Sequence, residues 1–79
     1  MSPTVFYNGN HRFFFFSREE DRMHIHVTGP DGEAKFWIEP TVSLASSYNL
    51  APKQLKLLQK IVEEHSDEIK GSWKMHFKK

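Results

Sequence analysis

Two stretches of strictly alternating residues flank Gly29-Pro30-Asp31-Gly32, and no other feature constrains the fold of this chain as much. Glycine, proline and aspartate together mark a turn, because each favours backbone angles that a strand or helix cannot use. Before the turn, Met23, Ile25 and Val27 alternate with His24, His26 and Thr28. After it, Ala34, Phe36 and Ile38 alternate with Glu33, Lys35, Trp37 and Glu39. A period of two signals a strand with one buried face. The pair reads as an antiparallel hairpin, with Thr28 opposite Glu33, His26 opposite Lys35 and His24 opposite Trp37. A slip of one residue would turn the whole apolar set to solvent, so the register is strongly specified.

Further breaks divide the rest of the first half. Asn8-Gly9-Asn10 suits a tight hairpin turn, Ser17 to Asp21 is a polar break, and Pro40 closes the segment after the hairpin because proline cannot donate to a sheet ladder. Strands are predicted over roughly Thr4–Tyr7, His11–Ser17, Met23–Thr28 and Glu33–Glu39, with Val42–Tyr48 either a fifth strand or a loop. Beyond Pro52, which suits the first turn of a helix, the period changes. Leu55, Leu58, Val62, His65, Ile69, Trp73 and His76/Phe77 recur every three to four residues and fall on one stripe. Leu57 and Ile61 widen that stripe, which predicts deeper burial of its N-terminal half. Ser66-Asp67-Glu68 resembles a second helix start with Ser66 as N-cap, while Gly71 weakens the helix around it. The expectation is a single α+β domain over residues 1–79. An antiparallel meander of four or five strands, about 4–48, is packed on one face by one long or two consecutive C-terminal helices, about 52–78.

Composition narrows the function classes. Without cysteine there is no disulfide framework and no thiolate metal site. No apolar run approaches the ~18 residues of a membrane span, and Met1-Ser2-Pro3-Thr4 lacks a signal-peptide pattern, so a cytoplasmic protein that does not engage membranes is expected. Four Lys/Arg stand against six acids in residues 1–49, and seven lysines against four acids thereafter. With a pI near 8.1, this falls short of the strong basicity of a dedicated nucleic-acid domain. The terminal lysines complement a helix C-terminus.

The sheet face turned away from the helices carries His24, His26, Glu33, Lys35 and Trp37. Four consecutive phenylalanines, Phe13 to Phe16, must place two rings on each face of their strand. Either Phe13 and Phe15 or Phe14 and Phe16 therefore lie beside the histidines, with His11 or Arg12 accordingly. The set that includes Arg12 is Arg12, Phe14, Phe16, Trp37 and Glu33. An exposed aromatic patch of this kind marks a contact site.

Three chemistries fit this face. His24 and His26, on alternate strand positions about 6.6 Å apart, could serve as general base and acid with Lys35 or Arg12 stabilising a pentavalent phosphate, as metal-independent RNA cleavage requires. The same pair could hold a divalent metal if His11, Glu33 or Glu39 supplied a third ligand; no other cofactor is expected. The aromatic rings with Lys35 and Arg12 could stack single-stranded bases, or be buried against a protein partner or a second copy. Burial against protein is the simpler reading of the rings, and packed histidines that of the imidazoles. His65 and His76, on the apolar stripe, read as structural.

Pro3-Thr4-Val5, Arg12-Phe13-Phe14-Phe15-Phe16-Ser17, His24-Ile25-His26-Val27, Gly32-Glu33-Ala34-Lys35-Phe36-Trp37, the helix start at Pro52–Leu55 and Trp73 together resemble a small bacterial family, catalogued as domain of unknown function 4160. The resemblance covers nearly the whole chain, although the segment Arg18–Arg22 is charged where the family often carries Gly or Pro. It implies no established activity. Members are often encoded beside another small protein in arrangements like toxin–antitoxin pairs, which implies a protein partner encoded nearby and an RNA-directed role.

Overall fold

The computed structural model describes residues 4–16 and 22–77. Five strands, β1 (Thr4–Asn8), β2 (His11–Phe14), β3 (His24–Thr28), β4 (Glu33–Trp37) and β5 (Ser43–Tyr48), are followed by α1 (Pro52–Glu64) and α2 (Ser66–His76). The strands form one antiparallel meander in the order β1-β2-β3-β4-β5, as expected of consecutive strands joined by tight turns. The segment after Pro40, ambiguous in sequence, is the fifth strand. The polar break over Ser17–Asp21 lies outside the described residues.

The turns explain the registers. Asn8 pairs with His11, so Gly9 and Asn10 form a two-residue loop, and Gly9 has a positive φ of 59°. Glycine at the first central position matches the twist of the flanking strands. The hairpin of β3 and β4 has the expected register: Thr28 faces Glu33, His26 faces Lys35 and His24 faces Trp37. Its turn also anchors the chain beyond β5. Asn49 Nδ2 donates to the Asp31 carbonyl at 2.6 Å, and Gln54 Nε2 donates to the Asp31 carboxylate at 3.1 Å. Gly32 lies so close to Tyr48 that a Cβ there would collide with the Tyr48 carbonyl oxygen.

Alternation then sorts the residues. Phe13, Phe15, Met23, Ile25, Val27, Ala34, Phe36 and Ile38 face the helices and join Leu58, Val62, Ile69 and Trp73 in one core. Burial of each large apolar side chain is worth about 1.5–3 kcal/mol. α1 packs mainly on β4 and α2 on β1. No helix among the described residues is long and apolar enough to cross a membrane.

The helical region divides in two at His65, but Ser66 does not cap the second helix. His65 is the junction residue, its N–H shared between the Ile61 and Val62 carbonyls at 3.1 and 3.2 Å, and its own carbonyl accepts from Ile69 N–H at 2.9 Å. His65 is thus the N-cap position of α2 and Ser66 its first helical residue, one position too late for its hydroxyl to serve as the cap. Leu57 does not extend the buried stripe: it is 59% exposed, because α1 meets the sheet along Leu58 and Val62, one position round the helix. Each helix buries two residues, and α1 adds the partly buried Leu55 and Ile61 against the core. His65 stacks on Phe6, with ring centroids 4.1 Å apart, and pairs through Nδ1 with Glu68 at 2.9 Å. Trp73 and Phe77 pack together against Phe15. His76 also meets the Phe15 and Phe77 rings but is exposed at the helix end.

Candidate functional site

Pairing of β2 with β3 determines which phenylalanines share the histidine face. Arg12 stands opposite Thr28, Phe13 opposite Val27 and Phe14 opposite His26. Phe13 and Phe15 therefore enter the core, while Phe14 and Phe16 lie with His26 and Arg12 on the open face. His11 has the opposite parity, and its imidazole lies against Gly29, away from the other histidines.

The open face is a continuous set of aromatic contacts. The Arg12 guanidinium lies 4.5 Å from the Phe14 ring centroid, held by a hydrogen bond from its Nε to Thr4 Oγ1 at 2.6 Å. Phe14 meets Phe16 edge-on at 5.3 Å, and both contact the His26 imidazole, at 5.6 and 4.2 Å. On the other side of β3, Lys35 Nζ lies 4.5 Å from the Trp37 ring and the Arg22 guanidinium 4.2 Å from it. Arg22 is oriented by a 3.2 Å hydrogen bond to the Glu39 carbonyl. Cations over aromatic rings gain from the ring quadrupole, and they cover apolar area while keeping charge at the surface.

The two central histidines have different surroundings. His24 is buried at 1% exposure. Its ring packs edge-on to Trp37 at 5.6 Å and against Trp73 at 5.3 Å, and Nδ1–H donates to the Arg22 carbonyl at 2.7 Å. A carbonyl can only accept, so this bond places the proton on Nδ1. His26 is half-buried, 5.0 Å from His24 between ring centroids. It borders a cleft of about 280 Å³ whose walls include Phe14, Phe16, Glu33, Lys35, Ser46 and Tyr48.

The structure thus brings Arg12, Phe14, Phe16, His26 and Lys35 together, with Trp37 and His24 adjoining. Glu33 lines the far end of the cleft, opposite Thr28 and Tyr48, four strand positions or roughly 13 Å along from His24. Glu39 contributes its backbone carbonyl to Arg22. Among the described residues no three His, Asp or Glu side chains converge as metal ligands. Three contributors carry no signal of their own in the sequence reading. Tyr48 and Ser46 reach the cleft because β5 pairs with β4, and a strand reading of that segment would find them. Arg22 reaches Trp37 from the end of the β2–β3 connection, which no periodicity indicates.

Residues 10–74 match the family model described as Domain of unknown function (DUF4160). Comparison with curated proteins and with solved structures returns no match.

Proposed function

The chain belongs to the DUF4160 family, and from that premise we propose that it is a protein-interaction module, a cytoplasmic component of toxin–antitoxin type that docks a protein partner on its open sheet face. One observation supports this above others: the face opposite the helices is surfaced by aromatic rings with cations laid over them. One face of an antiparallel sheet commonly meets water and is polar. Here Arg12–Phe14, Phe16, His26 and Lys35–Trp37–Arg22 occupy it, and Phe16 and Tyr48 are 46% and 70% exposed. Aromatic and arginine side chains are the residues enriched in protein interfaces and their hot spots. The partner is the small protein that the family resemblance leads one to expect beside the gene. Titration of the purified chain with that protein tests the reading. Binding weakened by Phe16→Ala is expected, and binding indifferent to every open-face substitution contradicts it.

A second reading, single-stranded RNA binding or metal-independent cleavage, is favoured by the cleft itself. It sets His26 beside Lys35 between the exposed rings of Phe16 and Tyr48, which suits a stacked base. In this reading His26 and Lys35 act at the cleft, and His24 supports His26 from within the fold. Growth arrest on expression that is lost in His26→Ala supports it. Equal arrest in the variant, or none in the wild type, removes it.

A further inference from the structure

The two edges of the sheet differ. At one edge, α2 packs on β1 and the Phe6 ring lies between Phe13 and His65. At the other, β5 contains no buried residue, and Leu44, Ser46, Ser47 and Tyr48 are exposed. Its sequence, Ser-Leu-Ala-Ser-Ser-Tyr, contains no charge and no proline. Edge strands are usually protected by lysines, prolines, short length or a covering element, because their outer N–H and C=O groups will otherwise pair with another strand. A register shift opposite Lys35/Phe36 is the single such device in β5.

We propose that β5 pairs antiparallel with β5 of a second copy of this chain, joining two five-stranded sheets into one across a two-fold axis. The absence of charge selects this occupant over a foreign strand. A two-fold axis sets a strand against itself, so a charge near its centre would meet its own like. A foreign strand imposes no such condition and could answer a charge with its opposite. Self-pairing centred on Ser46 sets only small residues about the axis, Ser46 against its own copy and Ala45 against Ser47. The helical side leaves room. A groove of about 620 Å³ runs along α1 past Leu55, Gln59 and Glu63. Glu63 also lines the cleft that contains Val42 at the entry to β5, which places this groove on the β5 side of α1. The open faces of the two copies would then form one surface carrying two identical clefts. The pairing does not depend on what that face binds.

The test is sedimentation equilibrium of the full chain over a range of concentrations, with Ser46→Glu and Ser46→Lys chains beside the wild type. Ser46 faces Lys35 across the β4–β5 ladder, so the glutamate gains a cross-strand partner within the fold while setting like charges about the axis. The wild type is expected at twice its 9.3 kDa mass, each variant alone at the monomer mass, and an equimolar mixture of the two variants at the dimer mass again. Circular dichroism of each variant establishes that it is folded. A wild type that stays monomeric at every concentration overturns the pairing, and so does a dimer of folded chains that survives in both single variants. A dimer dispersed by Phe16→Ala but not by either Ser46 variant would place self-association on the open face instead. A wild type that is dimeric but binds no partner would contradict the proposed function and leave the edge pairing standing.

Discussion

Phe15 and Phe16 are neighbours with the same side chain and opposite environments. Phe15 is 1% exposed among Trp73, His76 and Phe77, whereas Phe16 is 46% exposed over His26. The same strands thus build two aromatic layers, one closed by α1 and α2 and the other facing outward. Closure differs between them, not hydrophobicity. The inner layer is used in holding the chain folded. The outer layer is only partly closed: Phe14 and His24 are buried within it, while Phe16 remains open.

Substitutions can break this contrast at graded strength. Phe15→Ala is expected to cost about 3–5 kcal/mol, the range for a buried Phe truncation. A domain of this class is stable by about 5–15 kcal/mol in total, so the loss is a substantial fraction of it, read in urea titrations followed by tryptophan fluorescence. Gly32→Ala should cost about 1–3 kcal/mol. The new Cβ meets the backbone of Tyr48 and Asn49, which cannot swing aside as a side chain would, and the same titration reads the loss. Phe16→Ala should cost about 1 kcal/mol or less, the scale of an aromatic pair, and a loss as large as that of Phe15→Ala would show that the outer layer is structural. Gly71→Ala should stabilise by about 0.5–1 kcal/mol and raise the thermal midpoint. Gly71 lies exposed in α2, and a methyl group added there would meet nothing within 4 Å.

Legibility in the sequence follows the strength of the period. The β3–β4 hairpin is readable residue by residue because its two strands alternate cleanly about a four-residue turn. Phe13 to Phe16 have no alternation, so only pairing with β3 decides which two face the core. β5 is ambiguous because an edge strand with no buried residue carries no apolar period. The break between the helices is visible in Ser66-Asp67-Glu68, but the cap position falls one residue earlier, on His65. At the site, the alternation places His24, His26, Lys35 and Trp37 on one face correctly. The burial of His24 is hidden, because Trp73, which packs against it, comes from the last helix. Side chains brought in from distant segments, Arg22 and Tyr48 among them, have no local signal.

The contact role of the outer aromatic layer is tested most directly by calorimetric titration of the chain and of Phe16→Ala with the proposed partner protein. The expected result is binding by the wild type and an affinity at least about tenfold weaker in the variant, equivalent to about 1.4 kcal/mol, with the thermal midpoint of the free chain nearly unchanged. Equal affinities for the two chains, or no binding by either, would contradict it.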